Sequence, residues 1–106
     1  MPKIKITVLK RTFNKEIADE YLGTRAGPCD LNKQGLEFIS ENGVKPEGFC
    51  DWAWNDMHKV VTTLVCGGTF NKHGYFKDWM NRDNTLIVSC TDGIRPVIFK
   101  LERIEE

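Results

Sequence analysis

Apolar and polar positions change period along this chain, and the changes divide it into elements. Residues 3–9 read Lys-Ile-Lys-Ile-Thr-Val-Leu, with Ile4, Ile6 and Val8 alternating with Lys3, Lys5 and Thr7. A period of two in β-branched residues predicts a strand with one buried face. Asn14 suits a helix N-cap and Glu16 a first turn. A short helix is therefore expected through residue 22, with Ile17, Tyr21 and Leu22 on one side and Gly23 as a left-handed stop. Gly27-Pro28-Cys29-Asp30 reads as a turn. Leu36, Phe38 and Ile39 mark a second strand near residues 34–40, closed by Glu41-Asn42-Gly43.

Beyond the Pro46-Glu47-Gly48 loop the period lengthens. Ala53, Met57, Val60, Val61 and Leu64 fall on one helical stripe, predicting a helix over 51–66 that Gly67-Gly68 ends. The run Val60-Val61-Thr62-Thr63 is β-branched and favours a strand locally, so this segment carries competing signals. Residues 68–84 are irregular but hold Phe70, Tyr75, Phe76 and Trp79. Rings at that density pack over a core or make a partner surface, and a helical turn is expected around residues 75–80.

Alternation returns over residues 85–91 and 96–104, around Asp92-Gly93. That dipeptide predicts a tight two-residue hairpin turn with Gly93 at positive φ. In that register Cys90 faces Arg95, Val88 faces Val97 and Leu86 faces Phe99. A four-residue loop would instead put Cys90 opposite Val97. In both, Cys90 shares the face of Leu86, Val88, Val97 and Phe99. Pro96 signals a bulge or an edge. The order β-α-β-α-β-β predicts one α+β domain over residues 1–106. Its expected form is a small, mostly antiparallel sheet or partly open barrel of four to five strands, packed on one longer helix plus one short helix.

Charge narrows the partners. Lys plus Arg and Asp plus Glu number 15 each. Zero net charge gives no electrostatic reason to bind nucleic acid or an anionic membrane. Lys3, Lys5, Lys10, Arg11 and Lys15 cluster early, and Glu102, Glu105 and Glu106 late; these read as solvated faces and a frayed tail. Met1–Ile6 has no apolar signal region and no apolar run approaches a membrane span, so a cytoplasmic protein is expected.

The four cysteines, Cys29, Cys50, Cys66 and Cys90, lie 21, 16 and 24 residues apart. No C-x-x-C pair exists, so zinc-finger and ferredoxin spacing is missing, and free thiols are the expectation. A phosphate-cradling glycine loop, a G-x-S-x-G elbow and an H-E-x-x-H helix are also missing from the sequence.

Several segments together resemble a known pattern. They are Gly27-Pro28-Cys29, the stretch Pro46-Glu47-Gly48-Phe49-Cys50-Asp51-Trp52-Ala53-Trp54, the pair Gly67-Gly68, and Cys90-Thr91-Asp92-Gly93-Ile94-Arg95-Pro96-Val97-Ile98-Phe99. The set resembles a family of small prokaryotic proteins of unknown function, with a unit of about 90 residues, inside the single-domain range, that sometimes occurs in tandem. The likeness spans residues 3–104. It implies that Cys29, Cys50 and Cys90 belong to the pattern and that Cys66 is peripheral. It also implies a prokaryotic cytoplasmic setting, and it brings no reaction with it.

Three readings of function follow from the residues. In the first, Cys29, Cys50 and Cys90 meet. A helix N-terminus at Cys50 and Arg95 beside Cys90 would favour thiolates, giving a soft-transition-metal or iron–sulfur site or a thiol-redox pair. Their ordinary role is as small buried hydrophobes. In the second, the chain is a non-catalytic homo-oligomer or partner-binding subunit. Tyr75, Phe76 and Trp79, with one of Trp52 and Trp54, form its interface while the other tryptophan joins the core. In the third, a small-ligand enzyme uses Cys50 or Cys90 as nucleophile and Arg95 as clamp, with Asp92 its neighbour. Asp92 and Arg95 have a plainer use, closing the hairpin turn. His58 and His73 read as surface residues.

Overall fold

The structure is a computed structural model that describes residues 2–23, 27–30 and 33–104. Glu105 and Glu106, read above as part of an acidic tail, lie outside the described residues. The elements follow the expected order. They are β1 (Lys3–Arg11), α1 (Lys15–Tyr21), β2 (Glu37–Ser40), α2 (Asp51–Val65), a 3-10 turn at Gly74–Phe76, β3 (Thr85–Ser89) and β4 (Val97–Ile104). All strand pairs are antiparallel, in an open sheet of order β2-β1-β4-β3. The fold is thus α+β, with an open sheet in place of the barrel variant.

Register decides which side chains share a face. Ile6 stands between Phe38 and Leu101, and Leu101 stands opposite Leu86. Val8 faces Phe99, which faces Val88. These rows make the inner face, and Ile4, Ile6, Val8, Val97, Phe99 and Leu101 are fully or almost fully buried there. A shift between Val8 and Lys10 makes Leu9 an extra residue, and the bulge brings Arg11 into the row of Val97. The outer face alternates charge, with Lys5–Glu37 at 3.2 Å and Lys3–Glu41 at 3.3 Å.

The competing signals over residues 60–63 resolve as helix, because the stripe decides. Ala53, Met57, Val60, Val61 and Leu64 are all buried against the sheet. Burying five apolar side chains outweighs a few tenths of a kcal/mol of propensity per β-branched residue. The helix stops at a Schellman motif: Gly67 N–H donates to Leu64 O at 3.1 Å and Gly68 N–H to Thr63 O at 2.8 Å. Gly67 takes φ +84°, and a Cβ on Gly68 would lie 2.8 Å from Thr63 Cγ2. Arg103 completes this end. Its guanidinium, projecting from the inner face of β4, donates to Leu64 O at 3.0 Å and Gly68 O at 2.8 Å. A cation at a helix C-terminus that also satisfies free carbonyls is favoured twice.

Four local expectations need correction. Asn14 sits at the N-cap of α1, but its side chain donates to Gly93 O at 2.7 Å and leaves the helix uncapped. Ile17 and Tyr21 are exposed, and only Ala18 of α1 is buried, because α1 lies off the sheet's inner face. Gly23 follows an extended Leu22 (φ −82°, ψ 133°) and makes no left-handed stop. The β3–β4 hairpin does not turn tightly at Asp92-Gly93. Ser89 pairs with Ile98, Cys90 N–H donates to Val97 O at 3.0 Å, and Gly93 is outside positive φ. The register is therefore the one that sets Cys90 opposite Val97.

Replacing Arg103 by Met should leave two helix-end carbonyls without their cationic donor and cost about 1–3 kcal/mol. The urea midpoint followed by tryptophan fluorescence should fall, and Arg103→Lys should recover only part of the loss.

Candidate functional site

The loop between β3 and β4 is organised by Asp92. Its Oδ1 accepts the N–H groups of Ile94 at 2.9 Å and Arg95 at 3.0 Å, and its Oδ2 meets Arg95 Nε at 3.2 Å. From the other side Thr12 N–H and Oγ1 donate to Pro96 O, at 2.9 and 2.7 Å, and Asn14 N–H donates to Ile94 O at 2.8 Å. This lateral zipper explains why the Asp-Gly step does not form a two-residue turn: the loop is held against residues 12–14, just past β1, instead. Arg95 is thereby committed to Asp92.

All four cysteines are free: Cys50 and Cys66 flank α2, Cys90 follows β3, and Cys29 lies between α1 and β2. Cys29 contributes its carbonyl to Arg11 Nη1 at 3.0 Å. Cys50 is the N-cap residue of α2, without a side-chain capping bond. Cys90 accepts the Val97 N–H on its sulfur at 3.4 Å, while Ser89 Oγ donates to the Cys90 carbonyl at 3.0 Å. The sulfur thus replaces a ladder carbonyl and ends β3. Cys66 is exposed at the C-cap of α2. Cys29, Cys50 and Cys90 all pack at the margin of the core. Among the described residues no three His, Cys, Asp or Glu side chains are grouped to hold a metal ion.

The two tryptophans of the first helical turn diverge. Trp54 leans into the core margin, edge-on to Phe49 at 6.2 Å, and His58 stacks on it at 5.2 Å. Phe49 in turn meets Phe38 at 4.9 Å and Phe99 at 5.7 Å. Trp52 is 63 % exposed. Helical spacing places it on the same side as Asp56, Lys59 and Thr63.

That side of α2 borders a groove of about 760 Å³. Its floor and far wall come from Leu86, Val88 and Cys90 of the β3 segment, and its rim from Phe70, Phe76 and Trp79. The rim is a loop closed by Asn71, whose Oδ1 accepts Met80 N–H at 2.8 Å and whose O accepts Asp78 N–H at 2.9 Å. Phe76 sits at the centre of a ring cluster, 6.1 Å from Phe70, 5.3 Å from Tyr75 and 6.4 Å from Trp79. Trp79 and Tyr75 are 68 % and 94 % exposed. The sequence marked these rings. Asp56, two residues from His58 and so unable to share a helical face with it, has an Oδ2 buried at the groove without a hydrogen-bond partner.

The outer edge of β3 borders the same groove. Asn84, Leu86, Val88 and Cys90 form the hydrogen-bonded pairs toward β4, so alternation turns the N–H and C=O of Thr85, Ile87 and Ser89 outward. Compared with protein-family models, curated proteins and solved structures, the chain gives no significant match. No helix among the described residues is long and apolar enough to cross a membrane.

Burial pushes the Asp92 carboxyl up, but the N–H groups of Arg95 and Ile94 and the Arg95 guanidinium together hold it below its ordinary value. The stability it contributes is complete above the unfolded carboxyl value near 4 and is lost as pH falls through the lower folded value. Asp92→Asn should cost only a few tenths of a kcal/mol at neutral pH, because the ion pair is solvent-screened. It should also flatten the acid limb of a stability-versus-pH curve measured by urea unfolding.

Proposed function

We propose that this protein is a non-catalytic binding subunit that takes an extended protein segment along the outer edge of β3, under the aromatic rim. The observation that carries this reading is the coincidence of an open strand edge with an apolar groove and exposed rings. Main-chain groups on such an edge supply affinity, and side pockets select alternate side chains of the guest. Trp79 and Phe76 supply large contact area of the kind that dominates interfaces. Asp56 Oδ2 supplies a desolvated acceptor for a donor of the guest. Trp52 extends the aromatic surface beyond the α2 end of the groove. The thiols support a metal role less well, since among the described residues no three His, Cys, Asp or Glu side chains are grouped to hold an ion.

The test is titration with short extended peptides of alternating apolar and polar residues, read by backbone amide resonances and tryptophan emission. The amides of Ile87 and Ser89 should shift and Trp79 emission should change. Trp79→Ala should weaken binding about tenfold or more. If every peptide leaves those amides unmoved in protein kept monomeric by dilution, and the amides also stay unmoved as protein concentration rises, the reading is wrong. Asp56→Leu separates function from stability: it should raise stability by up to about 1 kcal/mol by removing an unpaired acceptor while weakening peptide binding.

A further inference from the structure

We infer that the occupant of the β3 edge is a second copy of the same edge, joined antiparallel about a two-fold axis through Ile87. This inference rests on the binding reading above and names the partner. The first argument is what the edge lacks. Thr85-Leu86-Ile87-Val88-Ser89 carries no charge, no proline and no bulge. Monomeric proteins blunt exposed edges with such features. The opposite edge of this sheet is blunted: β2 has four residues, with Glu37 in it and Glu41 just beyond.

The second argument is self-complementarity. With Ile87 on the axis, its outward N–H and C=O meet those of its own counterpart. Side chains then match by kind. On the helix-bearing face Leu86 stands against Val88 twice; on the other face Ile87 stands against Ile87. Each is a favourable cross-strand pair, and no like charges meet. Ile87 is 39 % exposed and Ser89 is exposed, while Thr85 is buried, so the strip is open from Ile87 to Ser89. The axis runs normal to the sheet, giving one eight-stranded sheet with both copies of α2 on one face. The Leu86 and Val88 side chains of each copy then lie in the layer that the other copy's groove leaves unfilled.

The experiment combines sedimentation equilibrium over a wide concentration range with residue-resolved hydrogen exchange, on the whole chain. Wild type should be a reversible dimer in which the Ile87 and Ser89 amides gain protection as concentration rises, while the amides of β2 do not. Ile87→Lys should weaken the dimer at least about tenfold, because it sets two lysines face to face. Ser89→Lys, at an exposed site, should act in the same direction, and circular dichroism should show both variants folded. A monomer at every concentration, or a dimer whose Ile87 amide stays unprotected and which tolerates both lysines, overturns the inference. A monomer that still binds extended peptides at Ile87 and Ser89 overturns only the choice of partner. A protein that neither dimerises there nor binds peptides there overturns the binding reading as well.

Discussion

A single helix has to cover a sheet that is wider than itself. Four strands span about 14 Å between their outer axes, while a helix with its side chains is only about 10–12 Å across. α2 packs over β3, β4 and β1 and does not reach β2, so the β2 flank lies outside its cover and the margin beyond β3 stays open. On the β2 side the deficit is made good by rings: Phe49 wedges between Phe38 and Phe99, and Trp54 closes over it. On the β3 side the loop carrying Phe70, Phe76 and Trp79 arches over without filling the space, and the groove is what remains. The site is thus the gap left between α2, the β3 edge and the irregular aromatic segment that arches over them.

Most of the architecture was legible because it rests on periodicity. The alternation of Ile4, Ile6 and Val8 and the stripe from Ala53 to Leu64 each specify a buried face, and those two faces pack together. What could not be read was long-range polar chemistry. Asp92-Gly93 has the composition of a tight turn, yet the turn is overruled by Thr12 and Asn14, some 80 residues away in sequence. Asn14 likewise has the right chemistry for a cap and spends it elsewhere. Arg103 looked like an ordinary polar strand position, and its role at the end of α2 exists only once β4 lies beneath that helix.

The candidate site divides along the same line. Tyr75, Phe76 and Trp79 stood out by composition, and they are exposed where the groove opens. The assignment of one helix-start tryptophan to packing and one to the surface followed from their two-residue separation, which a helix turns into divergent directions. The cysteine hypothesis depended on where distant thiols lie once the chain is compact. Cys50 stands at the start of α2 and Cys90 where β3 leaves its ladder, while Cys29 lies in the segment between α1 and β2. The unpaired acceptor of Asp56 was invisible because a missing partner is a property of packing, not of sequence.

The order of the strands has a kinetic side. β4 is the last strand along the chain but sits second from the edge, between β1 and β3. Until it arrives, β1 has only the short β2 beside it, and β3 has no neighbour in the sheet at all. The apolar rows that α2 covers are then incomplete, and the end of α2 lacks its arginine. Folding of this chain is consequently governed by one late closure over nearly its full length, the kind of step that contact order makes slow. Before that closure, the uncharged β3 segment has no partner strand, the kind of edge through which unfinished chains pair with one another.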